Sequence, residues 1–510
     1  MSNRRDFIKT AALAGLALPA LGRALPAKAA EPPAVTVAFP FDVLSWDPAA
    51  RVAPNPVPIH KCVFDQPLEY TADSTLAPGL ATAHRWLDDS GRTLEITLRE
   101  GVTFHNGDPL TSADFAFTFL ERLRAQPDLQ AAFIWNLVEG IETPTPTRAV
   151  MHFSKPMVTA PQFLGYAGSF VLPRRYIEQA GMDGFLARPV GSGPYMVAEY
   201  QRDSRIVLQA YPGYWRGAAA LPRVTFQVVK DATSRTAALQ AGQAALGSGL
   251  PVREAMRLGK LPQLRADLTP TVDTYLIHMV NAGSLQDRRI RLAMHHAIDK
   301  RALSRAFFNE VAQPLSTPAP PGTPAHDAAF VFEHSPDRAR ALLAEAGHDA
   351  SRPVRFPFYA TSGVYASDYD MARAIVQMWK RVGIEADLQV IELAQYYPRV
   401  QAGKLDGPAL WFWTNATGDP ELSAGYYLDP RKIFSVWRSD DVSARLDPLL
   451  VELDFDKRIR GYKAFHAWAV GEGYALPLLQ GLSSVVSAPR QVQYQPYRNG
   501  WLLPYAWKPA

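Results

Sequence analysis

The chain has 510 residues, 47% of them hydrophobic and 20% charged, a composition of folded domains that excludes general disorder. That length exceeds one ordinary hydrophobic core, so two or three domains are expected. Of 53 basic and 49 acidic residues, five basic (Arg4, Arg5, Lys9, Arg23, Lys28) and one acidic (Asp6) precede residue 30, leaving 48 of each sign in the remainder. A chain that is formally neutral beyond its first segment gives nucleic-acid binding no electrostatic support.

The N-terminus reads as an export signal over residues 1–29. "NRRDFIKT" pairs Arg4 with Arg5, "AALAGLALPALG" is a short apolar stretch, and Ala27-Lys28-Ala29 offers a small-x-small cleavage site. It resembles a twin-arginine signal, with Asn3 where Ser or Thr is commoner. The apolar stretch, broken by Pro19 and closed by Arg23, is far shorter than the ~20 residues that span a bilayer. The mature chain is therefore expected to be soluble and periplasmic. Cys62 is the only cysteine, which excludes an internal disulfide and a thiolate metal cluster. It also lies too far from the cleavage site to be a lipoprotein anchor.

"AVTVAF" is the first strand candidate, followed by a proline-rich stretch from Pro48 to Pro58. Leu94, Ile96 and Leu98 alternate with Thr93, Glu95 and Thr97, predicting a half-buried strand. Asn106-Gly107 predicts a turn, and Thr111 with Asp114 a capping box opening a helix that buries Phe115, Phe119 and Leu123. "GPYMVAEY", "RIVLQAY" and "RVTFQVV" predict strands between 193 and 230. "RRIRLAMHHAIDKRAL" predicts a helix with Ile290, Met294, Ala297 and Ile298 on one face. In "SPDRARALLAEAGH", Ser335 is the expected cap, Pro336 the first helical residue and Gly347 the stop. "VRFPFYA", a helix carrying Met371, Ile375, Met378 and Val382, and "IEADLQVIEL" predict a strand–helix–strand crossover with Gly383 at the join, hence parallel sheet in the C-terminal half.

Catalytic chemistry is hard to find in these residues. There is no HExxH, and His295 and His296 point about 100° apart on a helix, too far to share an ion easily. In "VGSGPY", Val190 stands where a nucleophile elbow needs glycine, and a strand rather than a helix follows, so Gly191 and Gly193 are expected to form a tight turn. Asp440-Asp441 has no evident acid–base partner. No catalytic residue, metal ligand or cofactor is assigned, and the chain is expected to be a binding protein rather than an enzyme.

"GRTLEITLREGVTFHNGDPLTSADFAFTFL", with LR-x-G-V-x-F-x-x-G-x-P-L-T-x-x-D from Leu98 to Asp114, resembles the signature of the family 5 extracellular solute-binding proteins. These serve ABC importers of peptides, nickel and opines. "PVGSGPYMVAEY" with "YPGYWRG", "DATSRTAALQAGQAAL", "RRIRLAMHHAIDKRAL" and "DRARALLAEAGH" match further segments in the expected order. The resemblance implies an α/β, two-lobed type II periplasmic-binding-protein fold with an inserted domain, mixed sheets and a hinge of two crossing strands. It implies domain I from 30–60, 186–268 and 486–510, an inserted domain II from 61–185, and domain III from 269–485. It further implies a small peptide or peptide-like ligand, delivery to an ABC permease of the inner membrane, and a monomer. Val52, Ala53 and Pro54 would face Trp411, Trp413, Asn415 and Asp419 across the cleft.

Two departures qualify the ligand. Gln243 and Ala245 replace acidic residues present in many relatives. Ala416 stands where peptide-binding members usually carry an aspartate for the peptide ammonium. Either Asp419 takes that role, or the solute is not an ordinary free peptide. A metal chelate, an opine or a saccharide is the alternative, although no histidine lies between 349 and 465 to ligate a metal from that wall. An exported enzyme is the third possibility.

Overall fold

The computed structural model describes residues 34–52, 57–349 and 351–510. The export signal, Ala53 and Pro54 lie outside them. The strands in chain order are β1 (Ala34–Phe39), β2 (Leu68–Tyr70), β3 (Leu76–Pro78), β4 (Ala81–Trp86), β5 (Thr93–Leu98), β6 (Val138–Thr145), β7 (Arg148–Phe153) and β8 (Tyr195–Gln201). They continue as β9 (Arg205–Ala210), β10 (Arg223–Val228), β11 (Leu246–Ser248), β12 (Arg265–His278), β13 (Val354–Ala360), β14 (Ile384–Val390), β15 (Ala409–Trp413) and β16 (Ala475–Ser487).

A ten-stranded sheet runs β14-β13-β15-β12-β16-β11-β1-β10-β9-β8. Strand β13 is parallel to β14 and β15, and β1 is parallel to β10 and β11, whereas β12 and β16 are antiparallel to each other. Those two are the long strands, of 14 and 13 residues. The far end of β12 pairs with β15, and the far end of β16 pairs with β11, so together they carry the chain between the two halves of the sheet. Their ladder breaks where Pro270 pairs with Leu482 and Thr274 with Gln480. Thr271, Val272 and Asp273 there oppose the single residue Gly481, a bulge that bends the ribbon and leaves backbone groups free for other partners. A Cβ on Gly481 would come 2.6 Å from the Thr271 Oγ1 and 2.8 Å from the Asp273 Cβ, so this approach requires glycine.

Three large cores follow this division. One gathers Tyr275, Ile290, Leu342, Phe358, Trp379, Trp411, Tyr462 and Leu478 around β12–β16 and the helices after residue 288. A second joins Val37, Phe64, Phe170, Phe226, Val485 and Trp507 around β1. The third lies under the four-stranded antiparallel sheet β4-β5-β7-β6 and contains Leu94, Ile96, Phe115, Phe119 and Trp135.

Local chemistry explains most elements. The Thr111 N–H donates to Asp114 at 2.8 Å, and Phe115, Phe119 and Leu123 are buried as their spacing predicts, although the helix widens into a π turn over Phe117–Glu121. Ser335 caps the helix Pro336–Glu345 by accepting from the Arg338 N–H. The β13–helix–β14 crossover is parallel, with Gly383 at φ 100° closing the helix Asp368–Lys380. The segment from 288 to 303 is two helices, not one: Arg288–His296 ends at Ala297, and the Asp299 carboxylate accepts from the Ala302 N–H to start Lys300–Phe308. An aspartate that caps a new helix outweighs continuation of the old one. Gly191 and Gly193 serve close approach: a Cβ at either would lie within 2.8 Å of the Val63–Phe64 backbone.

Candidate ligand-binding site

Strand β15 ends at Trp413, and the chain then folds into a tight polar loop. The Thr417 hydroxyl donates to the Asn415 Oδ1 at 2.8 Å, the Asn415 Nδ2 to the Asp419 carbonyl at 2.8 Å, and the Gly418 N–H to the Asn415 carbonyl at 3.0 Å. Pro420 opens a short 3-10 turn, which Asp419 caps through the Glu421 N–H. Asn415 therefore shapes this loop from within, its side-chain amide already bonded on both ends.

Asp419 is 3% exposed and held by Arg458, 2% exposed, through bonds of 3.1 and 2.6 Å to its two oxygens. Arg458 rises from the first turn of the helix Phe455–Gly471. Burial works against its charge, but Asp419 outweighs it and raises the guanidinium pKa above its ordinary value. The expectation that Asp419 is free for a ligand ammonium is thus corrected, because its charge is already balanced by a bidentate partner. Trp411 is a second correction. It is 3% exposed and lies face to face with Tyr396, ring centroids 3.7 Å apart, inside the core.

Trp413 is half-buried, its indole N–H donating to the Leu422 carbonyl at 2.6 Å and its ring meeting Tyr427 edge-on at 5.2 Å. Residues two apart on a strand share a side, and His278 accordingly touches both Trp411 and Trp413, while Phe412 points the other way onto Tyr275 and Tyr365. Val52 is half-buried between the second and third cores, its N–H donating to the Gln130 side chain at 2.9 Å and its methyls against Gly168.

The segment around Thr159–Tyr166 packs against the polar loop after Trp413. The Thr159 hydroxyl donates to the buried Glu421 at 2.9 Å, joining residues 262 positions apart. Tyr70, its hydroxyl on the Gln162 carbonyl at 3.1 Å, faces Thr417 and Asp419. Tyr166 faces Tyr426, Asp273 and Tyr397, and burial first, then these neighbours, push its phenol up to about 12.

Asp273, from the bulge in β12, is 7% exposed. Its Oδ1 accepts the Asn415 N–H and its Oδ2 the Thr271 hydroxyl, both at 2.9 Å. Burial, only partly offset by these two bonds, raises its pKa to about 6. The neighbouring Val272 N–H is spent on the Arg498 carbonyl. Sequence reading passed over Asp273, Tyr166, Tyr397, Tyr426 and Arg458. A signal for the first existed: a carboxylate two residues before the apolar stretch Tyr275–Ile277 is anomalous for a buried strand.

Among the described residues no group of three or more His, Cys, Asp or Glu side chains could hold a metal, and no helix is long and apolar enough to cross a membrane.

The profile of the bacterial extracellular solute-binding proteins, family 5 Middle, matches residues 75–434, most of the chain. The chain belongs to this family. As a family 5 solute-binding protein it is a transport binding protein, not an enzyme. It is 24% identical over 463 residues to heme-binding protein A of Haemophilus influenzae, covering 85% of this chain and 84% of that one. It is 24% identical over 438 residues to the dipeptide-binding protein of Escherichia coli, covering 79% and 80%. The crystal structure of NikA from Brucella suis in complex with Fe(III)-EDTA superposes with a TM-score of 0.84 at 22% identity, over 94% of this chain and all of that one. These likenesses establish the two-lobed, type II α/β fold of mixed sheets.

Proposed function

We propose that this family 5 protein is the periplasmic substrate-binding component of an ABC importer, taking a small peptide or peptide-like solute between its lobes for an inner-membrane permease. The observation that carries this reading is the meeting of two walls across the β12–β16 connection. One wall holds Trp413, Tyr397 and Tyr426, and the other Tyr166 and Thr159, with Thr159 bonded to Glu421. Aromatic faces give contact that tolerates varied side chains, and closure of two lobes buries the solute. The relatives named for heme and dipeptides support a small solute as cargo.

In this reading residues 1–29 are a twin-arginine type signal. The lobes divide as 30–60, 186–268 and 486–510 against 269–485, with 61–185 inserted. Val52 lines the cleft opposite Trp413, and the protein works as a monomer. Mass spectrometry of solute that co-purifies from native periplasm is the test, paired with small-angle scattering before and after that solute is stripped. A peptide-sized solute and a radius of gyration that grows on stripping are expected. An unchanged radius with stoichiometric solute would sink the cleft assignment.

One observation favours a second reading, a non-peptide solute such as a chelate, opine or oligosaccharide. Ala416 is 4% exposed and packs into the core around β1, and Asp419 is neutralised by Arg458. Neither can meet a peptide ammonium.

A further inference from the structure

We propose that Asp273 is the anionic subsite of the cleft, and that with Tyr166, Tyr397 and Tyr426 it receives a protonated amine of the transported solute. The inference rests on the cleft reading above and names the chemistry that the cleft selects.

Three observations carry it. Asp273 is more than nine-tenths buried, yet among the described residues no lysine, arginine or histidine lies within ion-pair distance of it. Other buried carboxylates nearby are matched: Asp419 by Arg458, and Glu421 by Lys432 at 3.8 Å. A carboxylate has room for about four hydrogen bonds, and Asp273 accepts two, from neutral donors. Two acceptor positions and one negative charge therefore stay open, which is costly in a closed protein and removed by a bound cation.

Position is the second argument. Asp273 does not belong to a continuous ladder. It sits in the bulge where three residues of β12 oppose Gly481, and the missing side chain at 481 is what lets it fit. The bulge lies where the two long strands cross between the halves of the sheet, so a ligand bound here touches the segment that bends on closure. The third argument is the surroundings. The groups around this carboxylate are neutral: the Thr271 hydroxyl, the Asn415 N–H and the phenol of Tyr166, which has Tyr397 and Tyr426 beside it in turn. A carboxylate beside aromatic faces is a chemistry for cations, the rings attracting the charge that the carboxylate neutralises. An anionic solute is repelled by it, and a neutral donor gains a hydrogen bond but leaves the charge unmatched.

The amine has two sources, a peptide N-terminus or a basic nitrogen of a non-peptide solute. The test uses a library of free-amine di- to pentapeptides, the same library N-acetylated, and solute stripped from the native protein. Material retained by the full mature chain and by Asp273→Asn is read by native mass spectrometry and calorimetry. Free-amine peptides retained over their acetylated forms, and lost on the order of 100-fold in Asp273→Asn, are expected. Equal retention of both libraries, or retention unaffected in Asp273→Asn, overturns the subsite while leaving the peptide reading intact. If no peptide is retained, the peptide reading falls, and the stripped solute decides. A basic nitrogen with binding lost in Asp273→Asn supports the subsite, and a solute without one overturns it. Melting of each ligand-free variant guards against misfolding, and Asp273→Ser must behave as Asp273→Asn does.

Discussion

Replacing Arg458 by glutamine tests whether the acidic side chain before Pro420 is structural. The change leaves the Asp419 side chain 3% exposed and without its bidentate partner. Two unit charges about 4 Å apart attract by about 4 kcal/mol at an effective dielectric near 20. Breaking a buried pair by removing one member costs about 3–5 kcal/mol by experience, because the remaining charge is stranded. The two estimates agree, so Arg458→Gln should destabilise the protein by about 3–5 kcal/mol. At roughly 2–4 °C per kcal/mol for a lobe of this size, melting should fall by about 6–20 °C.

Thermal unfolding followed by tryptophan fluorescence is a suitable assay, since Trp413 bonds to the same turn that Asp419 caps. The double variant Asp419→Asn with Arg458→Gln should recover much of the loss, because no charge is left unmatched. A melting temperature for Arg458→Gln within a degree or two of the parent would refute the reasoning. It would mean that water reaches Asp419 and that this carboxylate is available to a ligand after all.

Three further outcomes are expected. Asp273 has a folded pKa raised to about 6 from 3.8 by burial, so its penalty is absent below pH 4 and grows as pH rises through 6. That amounts to about 3 kcal/mol of stability lost across the window. Asp65, also raised to about 6 by burial, has the same sign, so urea melts of Asp273→Asn from pH 4 to 7 should show a reduced slope, and an unchanged slope contradicts it. Trp411→Ala should cost about 3–5 kcal/mol of stability, whereas Trp413→Ala should weaken solute binding on the order of tenfold or more; calorimetry and melting of the two variants must separate in that way. Thr159→Val leaves the buried Glu421 without its hydroxyl donor from 262 residues upstream, which on the proposed reading joins the two walls. Scattering should then show a larger radius for solute-loaded protein, with binding weakened about tenfold.

The fold was legible where its causes are local. Ser335 and Pro336 start a helix wherever they occur before an apolar repeat, and Gly383 stops one, so the β13–helix–β14 crossover could be placed from residue types alone. The break at Asp299 was legible too, through its capping carboxylate, but helical periodicity on both sides concealed it. The order of the central sheet was not legible from periodicity. Strands β12 and β16 lie about 200 residues apart, and alternation along a strand carries no mark of its partner. Family resemblance implied two crossing strands but not the order of the sheet.

The cleft divides in the same way. "LWFWTNATGDPEL" announces an aromatic wall, but which ring faces solvent depends on partners elsewhere: Tyr396 covers Trp411, and the Leu422 carbonyl holds Trp413 at the edge. The two aspartates make the point most sharply. Asp419 stands beside a proline in a conspicuous motif, and Asp273 stands in a strand with no motif at all, so sequence favours the first as the ligand's anchor. Burial does not separate them, since both are nearly inaccessible. What separates them is one cation. Arg458 arrives beside Asp419 from a helix 39 residues downstream, and nothing among the described residues arrives beside Asp273. A carboxylate's availability is therefore set by the remote element that does or does not neutralise it, and in this protein the neutralised one is the conspicuous one.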